Sequence, residues 1–199
     1  MNDILARARE IMNAEADAIR SIPLDLHFSA AVDILYNCIG KVITTGMGKA
    51  GIIAGKIAST LCSTGTPAAF LHPGEAAHGD LGLLAAGDVI IAFSTSGKTR
   101  EIIEMLELAH HFGIDKIIGI TSHPDSSIRH LSNVVINMGE IREPCTLGLT
   151  PTSSTAAMLA LGDAIALVLM EKKGITRSDY GLRHHGGYLG IKAREPANQ

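Results

Sequence analysis

Five short apolar runs limit what this chain can become. Residues 41–45, 67–71, 88–93, 116–121 and 133–137 are each centred on Val, Ile, Ala, Leu or Phe, with polar residues confined to their ends. A strand with one wet face alternates apolar and polar residues, whereas a strand buried on both faces does not. Helical patterns separate the runs: 51–63, a short turn at 81–84, 99–112, 126–131 and 152–173, with two more at 3–20 and 26–39 before the first run. Buried strands alternating with helices predict an α/β fold, a three-layer sandwich around a five-stranded parallel sheet wound in both directions. Ligands of such sheets sit at the carboxyl ends of the strands.

With 199 residues the expectation is one domain, spanning 1–199, with room for a sizeable core. Aromatic residues make up 4% and Trp is absent, so that core must be aliphatic and Ala-rich, with helices close to the sheet. A net charge of −3 with no basic block argues against nucleic acid as a partner. Arg7, Glu10, Glu15 and Asp17 interrupt any signal-peptide core. The longest apolar run, 156–170, is 15 residues long and contains Asp163, so it is expected not to span a bilayer. Three widely spaced cysteines, Cys38, Cys62 and Cys145, point to a reduced, cytoplasmic protein.

The most telling loop is Ser94-Thr95-Ser96-Gly97-Lys98-Thr99, between a strand and a helix start. Hydroxyls and unmade N–H groups at a helix N-terminus suit a phosphate. Gly97-Lys98-Thr99 resembles the end of a nucleotide P-loop, but that motif needs Gly at position 92, which is Ala. Simple capping by Ser96 or Thr99 is the rival reading. A second cluster, Thr150-Pro151-Thr152-Ser153-Ser154-Thr155, also opens a helix, and the two clusters are expected to share one phosphate pocket. Gly46-x-Gly48-x-x-Gly51 has the form of a dinucleotide fingerprint, yet the second strand ends in Phe70-Leu71-His72-Pro73 without the acid that holds a ribose. A packing turn or a sugar-phosphate turn, with Lys49 as its cation, remains. His72, Glu75, His78 and Asp80 fall within nine residues, but their spacing matches no familiar metal site. Adjacent His184 and His185 lie in a polar tail and precede a shaped turn.

These motifs in this order resemble the sugar isomerase (SIS) domain of bacterial D-arabinose 5-phosphate isomerases. The residues that carry the resemblance are Gly46-Met47-Gly48-Lys49-Ala50-Gly51, Ser63-Thr64-Gly65-Thr66-Pro67, His72-Pro73 with Glu75-Ala76 and His78-Gly79-Asp80-Leu81-Gly82. Ser94-x-Ser96-Gly97, Leu147-Gly148-x-x-Pro151-Thr152-Ser153-Ser154 and Gly186-Gly187-x-Leu189-Gly190 complete it. The likeness covers about residues 3–192. It implies a flavodoxin-like SIS fold, interconversion of D-ribulose 5-phosphate and D-arabinose 5-phosphate, and supply of the eight-carbon sugar acid Kdo for lipopolysaccharide or capsule. It also implies a homotetramer with no cofactor, here in the form without the two CBS domains that many relatives carry. Hexulose-phosphate and aminosugar isomerases, or a sugar-phosphate sensor, are the alternatives.

Carried onto this chain, the family's catalytic lysine falls on Lys49, its glutamates on Glu101 and Glu143, and its tail histidine on His184. The family's substrate-contacting Gly-Thr pair falls on Gly65 and Thr66, its loop histidine on His78 and an inhibitory zinc contact on His72, while the turns themselves offer Gly48, Ser94, Thr95, Ser96, Thr99, Thr152, Ser153 and Ser154 as further expected substrate contacts. The usual tail Ser-His-Pro-Gly-Gly reads Arg183-His184-His185-Gly186-Gly187 here, so His185 is a second candidate imidazole. The chemistry needs a histidine to open the sugar ring and a carboxylate whose pKa burial raises, to move a proton between neighbouring carbons. It also needs a cation for the enediolate oxygen. Glu143 is the expected base, with Glu101 as rival or orienting partner, and Lys49 the expected cation.

Overall fold

The structure is a computed structural model that describes residues 3–194. Its sheet has five parallel strands: β1 (Val42–Gly46), β2 (Ala68–Phe70), β3 (Val89–Phe93), β4 (Lys116–Thr121) and β5 (Val134–Asn137). Their spatial order is β2-β1-β3-β4-β5, paired in register with Val42 opposite Val89 and Val89 opposite Lys116. The expected sheet is therefore present. β1 and β3 are buried along their full length, which is why they read as continuous apolar runs. β2 is the half-buried edge. Buried strand hydroxyls find backbone acceptors: Thr44 donates to the Ala54 carbonyl and Thr45 to that of Leu71, both at 2.7 Å.

Helices cover both faces. On one lie α1 (Ile4–Arg20), α2 (Leu26–Tyr36), α3 (Lys49–Ser63) and α7 (Ser153–Lys172), with Leu35, Ile57, Leu61, Met158 and Ile165 packed on Phe93 and Ile118. On the other lie α4 (Pro73–Ala76), α5 (Arg100–His111) and α6 (Ile128–Leu131), with Met105 and Leu106 packed on Ile43, Ile90 and Ile117. α7 forms where the sequence places its long helix, 152–173. It runs 20 residues and is long and apolar enough to cross a membrane, but half of it is buried inside the fold. It packs as a core helix between α1 and α3.

Two stretches expected to be loop or tail hold helices. Pro73 starts α4, inside the expected loop 72–80. The tail forms α8 (Arg177–Arg183) and α9 (Tyr188–Arg194). α8 opens with a capping box: the Asp179 N–H donates to Thr176 Oγ1 at 3.2 Å, and the Thr176 N–H donates to the Asp179 carboxylate at 2.8 Å.

The direction of winding reverses between β1 and β3, because β2 lies to one side of β1 and β4 to the other side of β3. The crevice outside the carboxyl ends of these two strands is where a sheet of this order binds ligands.

Candidate active site

Two turns build that crevice. After β1 the chain bends at Gly46 and enters α3 at Lys49. An ideal Cβ on Gly51 would lie 2.4 Å from the Gly46 carbonyl oxygen, so strand and helix approach more closely than a side chain allows. Gly48, the N-cap, has φ 58°, and a Cβ there would meet nothing within 4 Å. The glycine spacing thus serves tight packing at 46 and 51 and an open, left-handed turn at 48.

After β3, Ser94 Oγ accepts the Gly97 N–H at 3.1 Å and lies 3.0 Å from Thr99 Oγ1. The Thr95 carbonyl accepts the Ser122 N–H and the Thr121 hydroxyl, both at 3.0 Å, and the Gly97 carbonyl accepts the Ile128 N–H at 3.0 Å. The loop is therefore tied to the end of β4 and the start of α6. Thr99 is the N-cap of α5, but its side chain caps none of the first-turn N–H groups. That leaves an anion-seeking helix terminus. Lys98 is exposed, while Arg100 is turned to Glu104 on its own helix at 2.6 Å.

Together these turns line a cavity of about 280 Å³ with Met47, Lys49, Ala50, Phe93, Ser94, Thr95, Ser96, Thr99, Pro151 and Thr155. The size is at the low end for small-molecule pockets, which start near ~300 Å³. A larger cavity, about 570 Å³, lies at the amino ends of the strands, between Ile34, Ile39, Val89 and Lys116. The buried carboxylate on its wall, Asp88, is already bonded to Lys41 and Ala85.

The second hydroxyl cluster behaves differently from the sequence expectation. Glu143 lies across the first turn of α7. Its carboxylate accepts the N–H groups of Thr152 and Ser153 at 2.8 Å and of Ser154 at 3.1 Å, together with the Ser154 hydroxyl. Ser153 is fully buried, with no partner for its hydroxyl among the described residues. The α7 terminus is thus occupied by the protein's own carboxylate, and only Pro151 and Thr155 of this stretch reach the cavity wall. Burial pushes the Glu143 carboxyl up, but the Ser154 hydroxyl and the N–H groups of 152, 154 and 153 outweigh it and hold it below the usual glutamate value. The expectation that burial raises the pKa of the base therefore fails for Glu143. Glu101 is half-buried in the first turn of α5, two residues beyond Thr99.

The remaining predicted residues divide between the two ends of the sheet. His72 and His78 follow β2 on the cavity side. His72 is edge-on to Phe70, its Nδ1 buried without a partner among the described residues, and His78 is exposed. Among the described residues no three His, Cys, Asp or Glu side chains are grouped to hold a metal.

Gly65 and Thr66 precede β2 and so lie at its other end. A Cβ on Gly65 would lie 2.7 Å from Ile175 and 3.4 Å from the Arg183 guanidinium, and Thr66 Oγ1 accepts Lys173 Nζ at 2.9 Å. α8, which carries His184 at its C-cap, therefore packs at the C-terminal ends of α3 and α7. α3 has 15 residues, which separates its Lys49 end from this one by roughly 20 Å at 1.5 Å per residue. One chain does not bring His184 to Lys49. His185 is exposed.

Comparison with known proteins adds to this geometry. The SIS domain family matches residues 34–168. The chain is 41% identical over 192 residues to the arabinose 5-phosphate isomerase KdsD of Escherichia coli K12, and equally to that of Salmonella typhimurium LT2. The match covers 96% of this chain and 58% of either relative. The chain thus spans a little over half the length of these curated relatives. A crystal structure from Bacteroides fragilis, assigned as a phosphosugar isomerase involved in capsule formation, superposes with a TM-score of 0.90 at 45% identity, covering 93% of this chain and 99% of that one. An E. coli CFT073 protein solved in complex with arabinose 5-phosphate gives 0.88 at 39%, covering 92% and 100%.

Proposed function

Because the chain belongs to the SIS domain family, we propose that it is an aldose–ketose isomerase interconverting D-arabinose 5-phosphate and D-ribulose 5-phosphate. The observation that carries this reading is the pairing, in one small cavity, of the Lys49 ammonium with the hydroxyl loop Ser94–Thr99 at an uncapped helix terminus. The phosphate takes the α5 terminus with Ser94, Thr95, Ser96 and Thr99. It does not react, and its binding energy holds the sugar in place. Gly48 lets the sugar approach the backbone, and His78 borders the same end of the sheet. The product feeds Kdo synthesis for lipopolysaccharide or capsule in the cytoplasm.

In the chemical step a carboxylate takes the C2 proton of the open-chain aldose, giving a cis-enediol, and returns it to C1 while the hydroxyl proton passes from O2 to O1. Lys49 stabilises the charge that develops on oxygen. Glu143 is the base: it is ionised at neutral pH, as an acceptor must be, and Ser154 and the α7 terminus fix its position. Glu101 orients the sugar beside the phosphate. His184 opens the ring and comes from a second copy, with Gly65 and Thr66 alongside. Such sharing needs at least two copies, and a homotetramer would supply them. Exposed apolar side chains stand on both segments that must meet: Ile52, Leu147 and Leu149 on the Lys49 side, and Leu182 and Tyr188 on the His184 side. Because no three metal-ligating side chains are grouped among the described residues, a zinc contact at His72 would need ligands from beyond them.

Incubation with ribulose 5-phosphate, followed by NMR, should yield arabinose 5-phosphate. Thermal stabilisation by the sugar phosphate with no turnover would point to a sensor instead. In deuterated water Glu143→Gln should abolish C2 exchange of the aldose and leave binding intact; loss on Glu101→Gln alone would exchange the two roles.

A further inference from the structure

His184 is held more tightly than a tail histidine need be. Its ring stacks on Tyr180, one turn earlier on α8, with centroids 4.0 Å apart and planes 17° apart. Its Nδ1 is 3.0 Å from the Tyr180 carbonyl oxygen. A carbonyl oxygen only accepts, so Nδ1 carries the proton in this contact, and the neutral ring keeps its lone pair on Nε2, at the opposite edge. The backbone is fixed from the other side by α9. A Cβ on Gly190 would lie 1.6 Å from the His184 carbonyl oxygen, and Arg194 donates to the carbonyls of Gly190 at 3.1 Å and His185 at 2.6 Å. The Gly186–Gly190 motif thus closes α9 onto His184, and Tyr180 sets the ring.

We infer that Tyr180 is the positioning residue for ring opening: its ring and carbonyl together select the Nδ1–H form of His184 and present Nε2 as the proton-accepting atom. This rests on the reading of His184 as the ring-opening group. Nε2 then takes the O1 proton of the furanose form. The C1–O1 bond becomes a carbonyl, the C1–O4 bond breaks, and the proton held on Nε2 passes to O4. Ribulose 5-phosphate cannot close a five-membered ring through its phosphorylated O5, so its enolisation does not need this step.

The test compares Tyr180→Leu, Tyr180→Phe and His184→Ala in the assembled protein. Three readouts are used: arabinose 5-phosphate turnover, deuterium wash-in from solvent into ribulose 5-phosphate, and the ¹⁵N shifts of His184. Tyr180→Leu should lower aldose kcat about tenfold, part of the hundredfold or more that a general acid–base group supplies. It should leave wash-in unchanged and weaken the fixed Nδ1–H signature, because the backbone carbonyl stays but the ring that holds the imidazole against it is gone. Tyr180→Phe, which keeps the stacking ring that Leu lacks, should stay within about twofold of wild type. Full turnover in Tyr180→Leu, an equal fall in turnover and wash-in, or an Nε2–H tautomer in the wild type would overturn the inference. A His184→Ala variant that turns over the aldose normally would overturn the reading beneath it. An inactive His184→Ala beside a fully active Tyr180→Leu would remove the Tyr180 role alone.

Discussion

Ser154 and Glu143 are joined twice: the Ser154 N–H and its hydroxyl both donate to Glu143 Oε1. With the N–H groups of Thr152 and Ser153 on Oε2, the carboxylate acts as the cap that α7 lacks from its own N-cap side chain. Its pKa is held below the usual glutamate value. A depressed carboxyl stabilises the fold fully above its unfolded pKa, near ~4.3, and the gain is lost as pH falls through the folded value. Glu143→Gln should therefore cost about 1 kcal/mol at pH 7, as for a lost cap. The cost should shrink as the pH drops below about 4. Urea unfolding at the two pH values checks this; an equal cost at both would mean that the charge plays no part.

Gly97 has φ 62°, and an ideal Cβ there would lie 1.8 Å from Ser126 Oγ. Gly97→Ala must both enter a strained conformation and push away the segment whose Ile128 N–H bonds the Gly97 carbonyl. The expected cost in stability is about 2 kcal/mol. Because the same loop offers the phosphate hydroxyls, KM for the sugar phosphate should rise about tenfold, equivalent to about 1.4 kcal/mol. Adding Ser126→Gly should restore only the steric part. Calorimetric titration with substrate analogue and thermal unfolding would separate the two effects.

The strands were legible because burial on both faces leaves no polar alternation, and their order placed the loops at 46–49 and 94–99 side by side at the reversal of winding. The capping box Thr176-x-x-Asp179 was a local signal for α8 that stood in plain view. The capture of Glu143 by α7 was not legible. The carboxylate lies nine to eleven residues ahead of the N–H groups it accepts, and no helical or strand period links the two. The separation of Lys49 from His184 was hidden for a similar reason. It arises when α8 folds back onto Gly65, a tertiary contact between Ile175 and a turn 110 residues earlier.

Asp88 is buried at 3% exposure, where β1 and β3 begin. It accepts the Lys41 N–H at 2.9 Å, Lys41 Nζ at 2.6 Å and the Ala85 N–H at 2.9 Å. Burial raises its carboxyl, but these bonds outweigh burial and the net shift is downward. Removing the partner of buried donors is costly, so Asp88→Ala should lose about 3 kcal/mol at pH 7. Asp88→Asn should flatten the acid limb of stability: the wild type loses the contribution as pH falls below the unfolded value of about 3.9, and the variant has none to lose. Melting temperature against pH reads both. The site lies at the other end of the strands from Lys49, so kcat at 25 °C should not change in the folded variants.

His184 and Lys49 sit at opposite ends of α3, so an active site that uses both must draw them from different copies. Lys49→Ala and His184→Ala should each be inactive when pure. Mixed in equal amounts, dissociated and reassembled, they should regain activity. Each site takes its lysine from one chain and its histidine from another, and the chance that both are wild type is about a quarter under random mixing. Recovery near that fraction, with unchanged circular dichroism, requires a shared site. No recovery despite verified exchange of subunits would mean that α8 swings to its own Lys49. That movement would require the Gly65–Ile175 contact to open.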